Sequence, residues 1–489
     1  MQSEVFLNAH FRNIGTIYNF DFYVEVYSTI YTRYNMKIIK TIPLENKFFE
    51  EEIVENGNKS ERTESGVINV FEEFKYQEII GFGGAFTESA AYNYSLLSDE
   101  QKKEFMENYF NPANGIGYNF GRVHINSCDF SIDLYTYVQD GDTTLETFNI
   151  DRDRKYVIPF IKDAQKYTGE GLFLFASPWS PPAYMKDNEY PFEGGSLKEE
   201  FKPVWAKYYA KFIKEYQKEG IKISAITVQN EPIAKQSWES CYYSPEDERD
   251  FIEKYLAPAL DDEGLSDIKI IIWDHNKERV YDRAKKIFTS KAVEDRVWAV
   301  GHHWYSGDHF DGLRLVHERY NKKLISTEIC GVITDNALEV AENYARELCG
   351  DFNNYTSAFC DWNLLLNEWG GPFHNRCRQP DATEQLVYEN KGIGCYAPIL
   401  YHSVEKKLIY TPIFYYIGHF SKFVKRGAHR IATTKYSDTM QACAFENPDG
   451  SLVLILANIS DRSLPATVRH NDVCTGFTMP AHSIATVLL

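Results

Sequence analysis

No apolar run in the chain approaches the ~20 residues a helix needs to cross a bilayer. The opening MQSEVFLNAHFRNIGTIYNFDFY lacks a basic stretch followed by an unbroken apolar one, so neither stable membrane insertion nor a secretory leader is expected. Positive charge is scarce: 52 Lys and Arg face 70 Asp and Glu, a formal net charge of −18. Such a surface repels phosphate backbones, which argues against nucleic acid as a partner. The nine cysteines (Cys128, Cys241, Cys330, Cys349, Cys360, Cys377, Cys395, Cys443, Cys474) stand singly, form no CxxC pair and are odd in number, which fits a reducing, cytoplasmic setting. The N-x-S/T sequons at Asn58, Asn93, Asn354 and Asn458 are then chance matches. Internal repeats and low-complexity tracts are missing too.

What is present is a 489-residue chain, 44% hydrophobic and 15% aromatic, long enough for two domains with large cores. Residues 1–35 follow neither a strand nor a helix period and are set apart as an appendage. From residue 76 to 408, eight short apolar runs alternate with helix-length stretches: EIIGFGGAF, NFGRVHIN, LFLFASPWS, ISAITVQNEP, IKIIIWDH, VWAVGHHWY, KLISTEI and SAFCDWNLLL. Parallel βαβ units repeated eight times close into a (β/α)8 barrel, whose active site lies at the C-terminal strand ends. KPVWAKYYAKFIKEYQKEG carries apolar residues at three- and four-residue spacing and stops at Gly220, as a helix with a glycine C-cap does. Residues 409–489 read as short β segments with no helix, and PDG at 448–450 marks a hairpin. With residues 36–75 they are expected to make a β-sandwich from both chain ends.

The polar constellations sit at the strand ends. In TVQNEP, Pro232 disfavours right-handed helical geometry for Glu231, so its carboxyl is presented at the tip of the fourth strand, with the Asn230 amide placed for a sugar 2-hydroxyl. KLISTEI offers Glu328 at the tip of the seventh. Two glutamates across a barrel mouth are what glycoside hydrolysis requires: one protonates the leaving oxygen, the other attacks the anomeric carbon or activates water. The ionised partner is expected to keep Glu231 protonated in the free enzyme. Asp129, Trp179, His303, Tyr305 and Trp362 line the same rim, and Arg122 is placed to pair with Glu328. Arg122 as a structural ion pair, and Trp179 and Trp362 as core, are the plainer readings. His302 and His303, with His309 nearby, suggest a metal, but adjacent strand residues face opposite ways, so one buried and one site histidine is expected and no metal. The glycines of GFGGAF lack the P-loop Lys and are read as a tight turn at the end of the first strand.

Taken in order, GFGGAFTESAA, GIGYNFGRVHINSCDFS, FASPWSPPAYMK, AITVQNEP, GHHWY, STEICG, DWNLLLNEWGGP and YYIGHFSKFV resemble glycoside hydrolase family 30, in its glucosylceramidase-like branch. The resemblance implies a retaining enzyme with Glu231 as acid/base and Glu328 as nucleophile. It also implies Asn230 at the 2-hydroxyl, Asp129, Trp179 and Trp362 around the sugar, and Arg122, His303 and Tyr305 in support. After GGP the chain departs from the family pattern, with Phe373, His374, Asn375, Arg376 and Cys377 on the side that meets the leaving group.

The expectation is an exo-acting β-glycosidase without cofactor, acting on a small carbohydrate or glycolipid, with glucose as the first choice of sugar and xylose or fucose next. A β-1,6-glucanase or β-xylosidase on the same scaffold, a non-catalytic sugar-binding barrel and a metal-dependent hydrolase are the alternatives. The oligomeric state is left open.

Overall fold

A computed structural model describes residues 35–55, 57, 65–169, 171–333, 335–374 and 394–489. The expected appendage, apart from residue 35, and Asn58, Asn375, Arg376 and Cys377 lie outside the described residues. The described residues begin with three strands, β1 (Met36–Ile42), β2 (Lys47–Val54) and β3 (Val67–Glu78). Eight more follow: β4 (Gly81–Ala85), β5 (Phe120–Ile125), β6 (Phe173–Pro178), β7 (Ile223–Thr227), β8 (Lys269–Asn276), β9 (Val297–His303), β10 (Lys323–Glu328) and β11 (Thr356–Asn363). These eight pair in parallel and close into a barrel in sequence order, β11 against β4.

Period-two alternation decides what fills the barrel. Phe120, Phe175, Ala225, Ile271, Ala299, Ile325 and Ala358 form one apolar interior cluster. Two residues further along their strands stand Arg122, Ser177 and Thr227, so the same inward face turns polar towards the C-terminal end. Outside, the helix Lys202–Lys218 buries Trp205, Tyr208, Tyr209, Phe212, Ile213 and Tyr216 along one stripe. Gly220 follows it at φ 78°, the left-handed conformation that a glycine C-cap takes without strain.

The remaining strands are β12 (Leu365–Asn367), β13 (Ile399–His402), β14 (Lys407–Tyr410), β15 (His429–Thr433), β16 (Met440–Glu446), β17 (Leu452–Asn458), β18 (Leu464–His470), β19 (Val473–Met479) and β20 (Ser483–Leu488). β12 to β14 form a small sheet, while β15 to β20 join β1, β2 and β3 in the order β19-β18-β3-β15-β16-β17-β20-β1-β2. The sandwich is thus built from both ends of the chain around Ile38, Ile68, Ile431, Leu454, Leu456, Val468 and Val487. The twelve-residue β3 pairs with β18 at its start and with β15 further on, and it runs past the boundary expected near residue 75.

Two expectations are corrected. Pro412–Ser421 is an α-helix, where short β segments were expected. Pro412 occupies its first turn, where the missing N–H costs nothing. Both sides of the helix are buried, so no polar stripe betrays the helical period, and His419 fixes it to Thr486 Oγ1 at 2.8 Å and Thr41 Oγ1 at 2.9 Å. The glycines of GFGGAF make no turn: they are the strand β4 itself. A Cβ at Gly83 would lie 1.5 Å from the Phe120 carbonyl oxygen, so close packing against β5 demands the glycine.

Among the described residues no helix is long and apolar enough to cross a membrane.

Candidate active site

Glu231 lies four residues beyond the end of β7, just before Pro232. Proline disfavours the right-handed helical region for the residue before it, and Glu231 avoids that region: its φ is +47°, a left-handed conformation rare outside glycine. The strain is held by its own N–H, which donates to the Asp274 carbonyl at 3.0 Å, and by the Asn230 N–H, which donates to the Pro178 carbonyl at 2.9 Å. Glu328 is the last residue of β10, where a register irregularity after Ser326 pairs it with His303 on β9.

Arg122, buried at the centre, ties these strand ends together. Its Nη1 donates to Glu328 Oε2 at 2.8 Å, and its Nη2 donates to Asp274 Oδ2 at 2.6 Å and to Asn230 Oδ1 at 3.0 Å. Its Nε donates to Ser177 Oγ at 3.0 Å, and its guanidinium lies 4.6 Å from the Trp179 ring. Trp179 in turn stacks on Trp362 with centroids 5.1 Å apart. The Tyr305 hydroxyl donates to Glu328 Oε1 at 2.9 Å.

His303 Nδ1 lies 3.5 Å from Glu231 Oε1 and 3.9 Å from Glu328 Oε1, so the two glutamate oxygens are at most about 7.4 Å apart, the two distances laid end to end. That limit admits the spacing of about 5 to 5.5 Å that double displacement uses. The other ring nitrogen of His303, Nε2, meets Asp274 Oδ1 at 3.0 Å. His303 has no exposed surface and stands behind the two carboxylates, in the supporting place the resemblance implies. His302 on the same strand points the other way, to Thr356 Oγ1 at 3.0 Å, as strand alternation requires. His309 precedes the helix Phe310–Tyr320.

Burial opposes charge throughout this cluster, and partners decide the outcome. Burial works against an anionic Glu231, but the imidazoles of His303 and His275 beside it prevail and pull its carboxyl down to about 2. Burial likewise works against a charged His303, yet the carboxylates of Glu328, Asp274 and Glu231 around it lift it to about 9. Burial pushes Glu328 above its ordinary value against His303 and Arg122. Asp274 is held far below the carboxylate range by Arg122 and His303 in spite of burial. In this ligand-free geometry the shifts run against the expectation of a raised Glu231: its carboxyl is drawn down and the His303 imidazole beside it is drawn up.

A cavity of about 530 Å³ opens at this end of the barrel, lined among others by Asp129, Trp179, Asn230, Glu231, Tyr305, Glu328 and Trp362. Of the residues placed at the sugar site from the sequence, Arg122 and His303 lie behind that lining, while Asp129, Trp179, Asn230, Glu231, Tyr305, Glu328 and Trp362 lie on it. Asp129 Oδ1 has no hydrogen-bond partner, and enclosure, followed by the charges of Glu328, Glu239 and Glu231, pushes its carboxyl well above its ordinary value. Phe373 and His374 also line the cavity, and His374 Nε2 meets Glu239 Oε1 at 3.0 Å.

Sequence reasoning missed Asp274, His275 and Gln236. Gln236 Nε2 donates to Glu231 Oε2 at 3.0 Å. Asp274 and His275 end the IKIIIWDH run and so carry the same strand-end signal that marked the others. Strict alternation would send one of them outwards. However, the pairing with β9 is irregular between Trp273 and His275, and Trp273 and Asp274 take φ of 73° and 51°. That bulge turns both side chains inwards. One carboxylate and two imidazoles, those of Glu231, His275 and His303, stand close enough to hold a metal ion.

An eight-stranded barrel with two glutamates and a stacked pair of indoles around one cavity at its C-terminal end is the layout of a glycoside hydrolase. Residues 79–424 match the family 30 glycosyl hydrolase TIM-barrel domain, and residues 427–487 match the family's β-sandwich domain. The chain belongs to glycoside hydrolase family 30. It is 31% identical over 456 residues to the lysosomal acid glucosylceramidase of Mus musculus, covering 88% of this chain and 85% of that protein. Among solved structures, SrfJ from Salmonella typhimurium matches with a TM-score of 0.86 at 32% identity, covering 93% of this chain and 99% of that one. The endo-β1,6-glucanase BT3312 matches with a TM-score of 0.80 at 26% identity, over the same shares.

Proposed function

We propose that the protein is a retaining, exo-acting β-glycosidase that releases a terminal β-linked sugar, glucose first, from a small glycoside or a glycosylceramide-like lipid. The observation that carries this reading is the position of His303 within 4 Å of carboxylate oxygens of both Glu231 and Glu328, which brings the two acids to a single sugar ring. Arg122 and Tyr305 occupy one oxygen each of Glu328 and aim it as the nucleophile. Glu231, with the proton of the Glu231–His303 contact, protonates the leaving oxygen while Glu328 closes a covalent bond to the anomeric carbon. Glu231 then takes a proton from water, which displaces Glu328 and frees the β-anomer. Asn230 accepts from Arg122 through Oδ1, which leaves its Nδ2 for the sugar 2-hydroxyl. Asp129 accepts from sugar hydroxyls, and Trp179 and Trp362 bound the apolar face of the ring. A cytoplasmic setting goes with this reading, in keeping with cysteines that stand singly along the sequence and form no CxxC pair.

A matched set of aryl β-glycosides that differ only in the sugar tests the proposal. Glucoside turnover above that of xyloside and fucoside, abolished in Glu328→Gln, is the expected result. Undiminished turnover in that variant, or a first product seen by NMR as the α-anomer, would sink it.

The likeness to the endo-β1,6-glucanase favours a second reading, cleavage within a β-1,6-glucan chain. Product lengths separate the two, since exo action on such a chain yields monosaccharide alone and endo action yields mixed oligosaccharides.

A further inference from the structure

His275 has no part in the steps above, yet it is buried beside the acid/base glutamate. Its Nδ1 has no hydrogen-bond partner and lies 3.6 Å from Glu231 Oε1. His303 Nδ1, also buried and without a hydrogen-bond partner, lies 3.5 Å from that same oxygen. All three atoms lie within 4.8 Å of one another.

These separations suit a metal. Ligand atoms at about 2.0 to 2.1 Å from a tetrahedral zinc ion stand roughly 3.3 to 3.4 Å apart; the two spacings from Glu231 Oε1 lie within a few tenths of an ångström of that, and the two imidazoles stay within 4.8 Å of one another. The outer partner is already in place: Asp274 Oδ1 meets His303 Nε2 at 3.0 Å, the carboxylate–histidine arrangement that orients a ligating imidazole. Glu231 and His275 line the cavity, which leaves a fourth position for water and a path for the ion. Two imidazoles and a carboxylate favour zinc, cobalt, nickel or copper over magnesium, which prefers oxygen ligands in an octahedron.

We propose that Glu231 Oε1, His275 Nδ1 and His303 Nδ1 form an inhibitory transition-metal site that binds a zinc-class divalent ion when the sugar pocket is empty. The ion takes the carboxylate oxygen that must carry the proton, so the metal-loaded enzyme cannot turn over. The inhibition rests on the glycosidase reading, whereas the binding does not.

The test uses the full chain, stripped of metal, with Co2+ as a spectroscopic probe and Zn2+ as inhibitor. Visible bands of a four- or five-coordinate cobalt site should saturate at one equivalent and be bleached by Zn2+. Zinc-edge X-ray absorption of the unmodified protein should count two imidazoles. Zn2+ should slow aryl β-glucoside hydrolysis, a chelator should restore it, and Mg2+ should do neither. In His275→Asn, cobalt affinity and sensitivity to Zn2+, each referred to the variant's own metal-free value, should weaken by about a hundredfold. An edge spectrum without imidazoles, equal zinc sensitivity in the variant, or equal inhibition by Mg2+ overturns the proposal. Should the protein hydrolyse no glycoside at all, the cobalt bands and the edge spectrum still decide the site. Cobalt bands without zinc inhibition in an active enzyme would overturn the inhibitory role.

Discussion

Arg122 Nη1 donates to Glu328 Oε2 at 2.8 Å from a side chain with no exposed surface, and the same guanidinium reaches Asp274 and Asn230. A planar fork can serve all three acceptors at once, whereas an ammonium cannot. Arg122→Lys is expected to lower kcat/KM on an aryl β-glucoside by about a hundredfold or more, because Glu328 loses its fixed direction. It should also cost roughly 3 to 5 kcal/mol of stability, because buried carboxylates lose part of their pairing. Steady-state kinetics and urea unfolding measure both, and a variant within twofold of the parent in kcat/KM would deny Arg122 this role.

Tyr305 gives the other oxygen of Glu328 its hydrogen bond, at 2.9 Å. Tyr305→Phe keeps the ring and removes one charge-assisted bond worth about 1.5 to 3 kcal/mol, so kcat should fall roughly ten- to a hundredfold with KM little changed. A change in KM alone would make Tyr305 a ground-state contact only.

The barrel and both glutamates were legible because strand period and strand ends are local signals. Eight apolar runs announce eight strands; Glu328 closes one of them, and Glu231 follows another by four residues. Two features were hidden for physical reasons. Asp274 and His275 face inwards together only because the end of β8 bulges, which period-two reasoning cannot see. The helix Pro412–Ser421 is buried on both sides between sandwich and barrel, so its sequence carries no amphipathic stripe and its β-branched and aromatic residues read as strand. The raised imidazole of His303 likewise depends on the carboxylates of Glu328 on β10, Asp274 on β8 and Glu231 just beyond β7, a convergence that only the closed barrel creates.

Lys277 follows β8 into the space beside the helix Ala337–Asn353. It is buried and pairs with Glu347 and, at 3.0 Å, with Asp351. Lys277→Met keeps the aliphatic bulk but strands the buried Asp351, whereas Glu347 keeps Arg346 at 2.9 Å. The expected loss is about 3 to 5 kcal/mol, read from urea midpoints at neutral pH, and it should shrink at acid pH, where Asp351, which burial already lifts to about 7, takes up a proton. A loss that is the same at both pH values would contradict the stranded charge as its cause.

Asp361 gives the clearest pH signature in the fold. It lies buried on β11, with the Tyr344 hydroxyl donating to Oδ1 at 2.6 Å and with Oδ2 unpartnered. Burial lifts its carboxyl from an ordinary 3.8 to about 8. Between those values the folded chain keeps a proton that the unfolded chain has released. This contribution is therefore fully present below about pH 4 and declines as pH rises towards 8, by about 1.4 kcal/mol per pH unit. Asp361→Asn still accepts from Tyr344 and cannot ionise. Its stability relative to the parent should rise steadily from pH 5 to pH 8, as read from melting temperatures across that range. Comparing variant with parent at each pH cancels every other titrating group, so parallel curves for the two proteins would rule out a protonated Asp361 in the fold.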